Sequence, residues 1–252
     1  MNIMLFEDTP KFISLKDPRG RHIKKVLRLQ SGDCLKAGLL NGPRGRLCIT
    51  AVEAEGYRVE WSKSGPPVGL YPLTLIVGFV RPISVKRILR EAASLGVERL
   101  VFAVTDSGER SYREANLWKT GEYREYLING LQSAGATVLP EVLLCGGLGE
   151  ALGPAGGVRV PDEVSEAPVR LVLDNVGAGR PLSRMDLGGP DGPAGPRPVV
   201  LAVGSERGWS ERERRLFQAA GFSSVTLGSR VLRTETACST GTALALARMG
   251  YV

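Results

Sequence analysis

The chain has 252 residues, 43% of them hydrophobic and 23% charged, and a formal net charge of +7. These proportions are typical of a globular protein with one large domain or two unequal ones, and the positive charge favours a polyanionic partner. No run of about eighteen apolar residues occurs. No basic region followed by an apolar run opens the chain, so the sequence predicts a cytoplasmic protein without a membrane span.

The cysteines and the histidine of the sequence do not form a metal-binding or redox motif. The four cysteines, at positions 34, 48, 145 and 238, show no C-x-x-C spacing, and one histidine does not complete a metal cluster. We therefore expect no metal site, and we expect the cysteines to be reduced and mostly buried.

Residues 1–69 predict a small β-barrel-like module, because short strand-like runs alternate with turn residues. A basic cluster interrupts it, and its cationic residues are Arg19, Arg21, His22, Lys24, Lys25 and Arg28. The apolar residues between them recur at helical spacing, which predicts one packed face and one charged face. A solvated charged face is one interpretation. The functional alternative is contact with RNA phosphates, which would make the affinity dependent on salt.

The remainder of the chain predicts an α/β domain. Residues 64–69 are rich in proline and glycine and predict a linker. A strand over 73–80, a helix over 85–95 and a strand over 100–104 then form a βαβ unit, which implies a parallel sheet. Further predicted elements are a helix over 116–134 and strands over 169–174, 199–203 and 224–227.

The last third of the chain contains a helix with a clear start and two segments of low apolar content before it. Ser210 and Glu213 have the spacing of a capping box, and Gly221 ends the predicted helix. Residues 146–168 and 177–198 are rich in glycine and proline and are predicted to be mobile surface loops.

Two short loops, 204–208 and 227–233, each follow a predicted strand. Ligands of open α/β sheets bind outside the carboxyl ends of the strands, so these loops are the first candidates for a site. Ordinary strand-to-helix turns are the alternative. Arg230 and Arg233 stand at the start of the last helix, against the preference of a helix N-terminus for anions. Guanidinium groups placed there suggest a role in holding a phosphate or a substrate carbonyl.

Several motifs resemble those of the RsmE family of ribosomal RNA methyltransferases. LGSRVLRTETA (227–237) is similar to the family signature, GSERG (204–208) stands where the family has G-P-E-G-G, and RHIKKVLRLQSGD (21–33) resembles its N-terminal motif. The resemblance implies an α/β fold of the SPOUT type with a deep trefoil knot over 70–252. It also implies a PUA-like β-barrel RNA-binding domain over 1–69, and a homodimer.

The function implied by this resemblance is methylation of N3 of a uridine in 16S (small-subunit) ribosomal RNA, with S-adenosylmethionine as the methyl donor. The RNA would be bound either free or in the assembled small subunit. The implied catalytic residues are Arg233, beside the developing enolate oxygen, and Arg110, in the family-like loop TDSGERS (105–111). The implied cofactor-binding residues are Leu173, Gly204, Glu206, Gly208, Leu227, Gly228, Leu232 and Thr236. The expected RNA-binding residues are Arg21, His22, Lys24, Lys25, Arg28 and Arg230.

The sequence also departs from the family pattern. Ser205 replaces a proline, Arg207 replaces a glycine, and LQSAGA (131–136) lacks the acid and the arginine of the family's E-Q-x-G-R. If Arg207 needed a positive φ angle, its side chain would make the loop strained. Two alternatives therefore stay open: a noncatalytic RNA- or ribosome-binding relative, and a methyltransferase that acts on another RNA nucleotide.

Overall fold

The computed structural model describes residues 2–153, 167–177, 179–188 and 197–252. The chain divides into two compact units. The first consists of Met1–Gly69 with Ile128–Leu139, and the second of Leu70–Leu127 with Pro140–Val252.

The segment 128–139 belongs to the first unit, whereas the sequence assigned it to the domain over 70–252. Hydrogen bonds explain the difference. The amides of Asn2 and Ile3 donate to the Gln132 carbonyl at 2.8 and 3.2 Å, and Thr137 Oγ1 donates to the Gly42 carbonyl at 2.7 Å. These contacts join residues far apart in the chain, and local periodicity carries no information about them.

The first unit is built on a five-stranded sheet in the order β1-β3-β4-β5-β2. Its strands are β1 (Met4–Phe6), β2 (Phe12–Ser14), β3 (Cys34–Leu39), β4 (Arg44–Glu53) and β5 (Gly56–Gly65). β1 and β3 are parallel and the other pairs are antiparallel. Alternating apolar residues of these strands bury one face, and the largest include Met4, Phe6, Leu47, Ile49 and Tyr57.

A disulfide joins Cys34 and Cys48, so the expectation of reduced thiols is wrong for this pair. The two cysteines face each other across the antiparallel register of β3 and β4. Their separation of 14 residues gave no sign of this, because only the register of the hairpin brings them together. Cys145 and Cys238 are free and buried, as expected.

The basic segment forms helix α1 (Pro18–His22) followed by a π-helical turn over Ile23–Leu27. Ile23 is fully buried, but Val26 is 63% exposed and Leu27 is exposed too, so the predicted packed face is wrong for these two residues. The reason is that the number of residues per helical turn changes over Ile23–Leu27. The Arg28 amide donates to the Ile23 carbonyl five residues earlier, at 2.6 Å, and the spacing rule of the α-helix does not hold there.

The second unit contains a seven-stranded sheet in the order β10-β12-β9-β11-β6-β7-β8, in which every neighbouring pair is parallel. Its strands are β6 (Tyr71–Gly78), β7 (Val97–Ala103), β8 (Glu141–Cys145), β9 (Val169–Leu173), β10 (Arg180–Pro181), β11 (Val199–Val203) and β12 (Ser223–Thr226). The predicted α/β fold with a parallel sheet is confirmed. The carboxyl ends of β9, β11 and β12 lie side by side.

The helices that follow β6 in the chain are α2 (Pro82–Ser94), α3 (Asn116–Lys119), α4 (Tyr123–Ala134), α5 (Leu148–Leu152), α6 (Glu211–Ala219) and α7 (Thr234–Arg248). Of these, α2, α5 and α7 contact strands of this sheet. The predicted stripe of α2 is buried, at Val85, Ile88, Leu89, Ala92 and Ala93. The helix predicted over 116–134 is interrupted, because Gly121 adopts a positive φ of 76°.

Where they are described, the two glycine- and proline-rich segments are not simply surface loops. Helix α5 begins the first of them, and Leu182 and Leu187 of the second are fully buried. The rest of both predicted loops, over 154–166, at 178 and over 189–196, lies outside the described residues. Within the described ranges, no helix has the length and apolar character needed to cross a membrane, and no group of three or more metal-ligating side chains is assembled.

Candidate functional site

A cavity of about 490 Å³ opens at the carboxyl ends of β9, β11 and β12. Its floor and walls come from the strand ends at Leu173, Val203 and Val225 and from the two loops that the sequence indicated, 204–208 and 227–233. The volume is in the range of sites that hold a small organic ligand, about 300–1,000 Å³. The position is the one that the parallel-sheet rule predicts.

The first loop is a tight turn whose shape depends on glycine. The Gly208 amide donates to the Ser205 carbonyl at 2.9 Å, and Gly208 takes a positive φ of 69°. A Cβ on Gly204 would lie 2.9 Å from the Gly208 Cα, and a Cβ on Gly78, at the end of β6, would lie 2.7 Å from the Ser205 nitrogen. The end of β6 and the turn therefore pack backbone against backbone.

Arg207 does not strain this turn. Among the described residues, the non-glycine residues with positive φ are Arg28 and Asn41. Gly208 supplies the left-handed conformation that the turn requires, so Arg207 keeps an ordinary φ. The Arg207 side chain does not line the cavity either, and it therefore does not plug it.

The second loop leads into α7, with Arg233 as its N-cap residue. Arg233 provides no side-chain cap hydrogen bond, so the first amides of α7 are open toward the cavity, which Thr234 and Glu235 line. Arg230 and Arg233 are both exposed, and neither side chain has an ion-pair or hydrogen-bond partner within the described ranges. This end of the cavity therefore attracts anionic groups.

The carboxylates of the cavity are already engaged. Asp174 accepts from Arg214 Nε at 2.6 Å, and Glu235 pairs with Arg87 Nη1 at 3.4 Å. Glu206 accepts from the Arg81 amide at 3.1 Å, at the start of α2. The negative charges are offset while the arginines of the second loop are not, which leaves the rim of the cavity positive.

Trp209 fixes the strand end that forms the floor. Its indole Nε1 donates to the Leu173 carbonyl at 3.0 Å, and its ring packs edge-on against Phe217 of α6 with 4.6 Å between the ring centroids. The Asp174 amide donates to the Val225 carbonyl at 3.1 Å. These bonds hold the ends of β9 and β12 together, so the floor is rigid.

A buried carboxylate ties the first loop region to the loop after β7. Glu213 is completely buried, and its two oxygens accept from the amides of Asp106 at 2.9 Å and Ser210 at 2.8 Å. The Glu213 amide donates in turn to Ser210 Oγ at 3.1 Å, which confirms the predicted capping box. Hydrogen bonds from Arg212 and from Ser210 Oγ hold the pKa of Asp106 below its usual value.

The structure brings most of the predicted catalytic and cofactor-binding residues, together with Arg230, to the cavity. Those that line it are Leu173, Gly204, Glu206, Gly208, Leu227, Arg230, Leu232 and Arg233. Gly228, Thr236 and Arg110 are not among the lining residues. The sequence also predicts that the backbone of residues 173–176 lines the same pocket, and Asp174 and Asn175 do line the cavity. Arg81 and Ser84 line it as well and were missed, because the only signal for them was their place just beyond the predicted strand over 73–80.

Cys238 is not a nucleophile in this site, although it lies within the first turns of α7. Complete burial raises the pKa of its thiol far above the ordinary value, with smaller contributions from Glu235 and Glu91. A thiol that stays protonated at neutral pH is unreactive.

Comparison with known proteins identifies the family. The model of the RNA methyltransferase domain matches residues 69–246. Ribosomal RNA small subunit methyltransferase E of Treponema pallidum is 37% identical over 98% of this chain and 91% of its own length. The Borreliella burgdorferi protein of the same name, numbered 1, is 29% identical over 94% of each chain.

Among solved structures, ribosomal RNA small subunit methyltransferase E of Neisseria gonorrhoeae, bound to S-adenosyl methionine, has a similar fold. It superimposes with a TM-score of 0.72 at 24% identity and covers 98% of this chain and 97% of its own. The family model spans most of the chain, and the T. pallidum relative is similar over nearly its whole length. The chain therefore belongs to the RNA methyltransferase family, and within it to the ribosomal RNA small subunit methyltransferase E proteins.

Proposed function

We propose that this protein transfers a methyl group from S-adenosylmethionine to N3 of a uridine in small-subunit ribosomal RNA. The observation that carries the proposal is the cavity itself. It is formed by the two loops that resemble the family's motifs, and unpaired arginines stand at its rim. The substrate is either the free RNA or the assembled small subunit.

The residues of the cavity fit S-adenosylmethionine. Apolar side chains from three strand ends and from the second loop, among them Leu173, Val203 and Leu227, form walls for an adenine ring. Gly204 and Gly208 line the cavity without a side chain, so the main chain can meet a ligand there. The open amides at the start of α7 suit a carboxylate. When bound, the cofactor supplies an electrophilic methyl group on a sulfonium.

The protein's own part in the reaction is to orient the base and to stabilise charge. As the N3 proton passes to solvent water, negative charge spreads to the uracil oxygens, and a guanidinium aimed at that charge lowers the barrier. Arg233 is the residue proposed for this role. It lies at the cavity wall, and its side chain has no ion-pair or hydrogen-bond partner among the described residues. Arg230 is proposed to hold an RNA phosphate, and Arg110 stays a second candidate.

The cavity depends on the backbone contact at Gly78, and this makes a prediction. Gly78→Ala would place a Cβ 2.7 Å from the Ser205 nitrogen and 2.8 Å from Thr105 Cγ2. The first loop must then shift, and we expect the affinity for S-adenosylmethionine to fall at least about tenfold. Gly149→Ala is the matched control because a Cβ there meets open space. Equal affinities of the two variants in calorimetry would contradict the prediction.

The first unit is proposed to bind RNA through its basic segment. Lys24, Lys25 and Arg28 are exposed around the π-helical turn, and none of their side chains has an ion-pair or hydrogen-bond partner in the part of the chain that the structure describes. Arg21 donates to the Lys16 carbonyl at 2.5 Å, and His22 is half-buried. Arg19 instead has a structural role, since it pairs with Asp17 and stacks over Phe6.

Substitution of Arg28 tests its effect on the stability of the fold separately from its effect on RNA binding. Its φ of 54° is unfavourable for a residue with a Cβ, and strained residues often mark functional sites. We expect Arg28→Gly to leave the free energy of unfolding unchanged or to raise it by up to about 1 kcal/mol. Binding to small-subunit ribosomal RNA should nevertheless weaken and become less dependent on salt. Urea unfolding and filter binding over a salt series test both parts, and an unchanged salt slope would contradict the second.

The finer features implied by the family resemblance are part of the proposal. These are a PUA-like first unit, a trefoil knot in the second, a homodimer and a cytoplasmic location. The support for the knot is that α7 contacts both α2 and the turn Leu182–Arg184, and that Arg248 Nε donates to the Met185 carbonyl at 2.8 Å, so the last helix packs against an earlier part of the chain.

Calorimetry with S-adenosylmethionine separates this function from its rival. Micromolar binding supports the enzyme, whereas undetectable binding supports a noncatalytic protein that binds RNA or the ribosome. The second rival, methylation of another nucleotide, retains the cofactor and is distinguished by mapping the methyl group on the RNA.

A further inference from the structure

A second, smaller hollow of about 120 Å³ adjoins the cavity. Its walls come from the start of α2, from the turn at 205–208 and from the loop after β7. Arg81 and Glu206 line both spaces, so the hollow begins where the cavity ends. A molecule that extends out of the cavity on this side would enter the hollow.

Two guanidinium groups make the hollow a site for an anion. Arg81 and Arg207 both line it and are exposed, and neither side chain has an ion-pair or hydrogen-bond partner in the described part of the chain. Other arginines of this unit form ion pairs, for example Arg212 with Asp106 and Arg214 with Asp174. Two unpaired guanidiniums beside one small hollow match the needs of a phosphodiester group.

The wall between the two spaces is fixed. The Arg81 amide donates to Glu206 Oε1 at 3.1 Å, which ties the start of α2 to the turn. This bond offsets the charge of Glu206 against the positive end of α2. The carboxylate therefore holds the wall in place and is not directed at a ligand.

The remaining side chains of the hollow suit the rest of a ribonucleotide. Glu109 has no side-chain partner among the residues described, and its carboxylate is an acceptor suited to a ribose 2′-hydroxyl. Tyr112 is half-buried in the wall and is held by a hydrogen bond from Trp118 Nε1 to its carbonyl at 3.1 Å. It offers an aromatic surface to a sugar or a base.

We propose that this hollow binds the ribose-phosphate next to the target uridine, with its phosphodiester on Arg81 and Arg207. The inference rests on the proposed function and deepens it, because it names the part of the RNA that leaves the cavity on this side. Arg207 is then an RNA-binding residue, and RNA binding explains why the turn has an arginine at this position.

The test compares Arg207→Ala with Arg215→Ala, which removes one charge from an exposed position of α6 that lines neither space. The probe is the small ribosomal subunit from a strain that lacks this protein. We expect Arg207→Ala to raise KM for the subunit about tenfold and to reduce the slope of log affinity against log salt by about 0.7. The affinity for S-adenosylmethionine should stay the same. Arg81→Ala should act in the same direction.

The inference is overturned if Arg207→Ala and Arg215→Ala have the same KM and the same salt slope. Its failure can be distinguished from failure of the proposed function. If the unaltered protein transfers no methyl group, the proposed function fails. The salt dependence of subunit binding by the two variants then still decides whether the hollow holds RNA.

Discussion

Replacement of Arg233 by alanine is expected to lower the rate of methyl transfer by at least about a hundredfold, the loss seen when a charge-stabilising donor is removed from an active site. Arg233 lines the cavity as the N-cap residue of α7, and its side chain has no ion-pair or hydrogen-bond partner in the described part of the chain. Its guanidinium is free to meet charge that develops on the base. Because the side chain makes no hydrogen bond that holds the loop, its removal should leave the affinity for S-adenosylmethionine largely intact.

Two companion variants sharpen this prediction. Arg233→Lys keeps the charge but loses the planar fork, and it should recover only part of the rate. Arg230→Ala should raise KM for RNA more than it lowers kcat, since Arg230 is proposed to hold a phosphate. Single-turnover methyl transfer with saturating cofactor measures the step directly. Unchanged turnover of Arg233→Ala would remove this residue from the mechanism.

Replacement of Glu213 by alanine is expected to reduce the free energy of unfolding by about 3 kcal/mol. The carboxylate is completely buried and accepts from the amides of Asp106 and Ser210. The alanine variant leaves both amides without their partner and leaves space inside the protein, and each effect costs free energy. The loop after β7 should also loosen, because its bond to α6 is lost.

Glu211→Ala is the matched control for this variant. Glu211 lies two residues earlier, in the same first turn of α6, but its side chain is mostly exposed and its ion pair with Arg214 is long, at 3.8 Å. Surface substitutions of this kind change stability by about 0.5 kcal/mol or less. Urea unfolding of both variants gives the difference. Equal unfolding midpoints would show that the buried carboxylate does not stabilise the fold.

The sequence predicted those features that depend on neighbouring residues. The capping box of Ser210 and Glu213, the buried stripe of α2 and the strands that frame the two loops all follow from spacing within a few residues. The position of the site followed as well, because parallel strands place their loops at one edge of the sheet.

Features that depend on distant residues were not predictable in this way. The order of strands brings Asp174 and Arg214 together across 40 residues, and it brings Glu213 to Asp106 across 107. The π-helical turn after α1 has a different number of residues per turn from an α-helix. Val26 is therefore exposed, although α-helical spacing predicts its burial. The disulfide between Cys34 and Cys48 likewise depends on hairpin register.

Mapping of the methyl group on the RNA is the decisive measurement for the proposed function. Purified protein and S-adenosylmethionine are incubated with small ribosomal subunits from a strain that lacks the protein, and the RNA is digested and analysed by mass spectrometry. We expect one uridine to gain a methyl group on N3, and we expect Arg233→Ala not to add it. RNA that stays unmethylated, or a methyl group found on a ribose hydroxyl, would show that the proposed reaction is wrong.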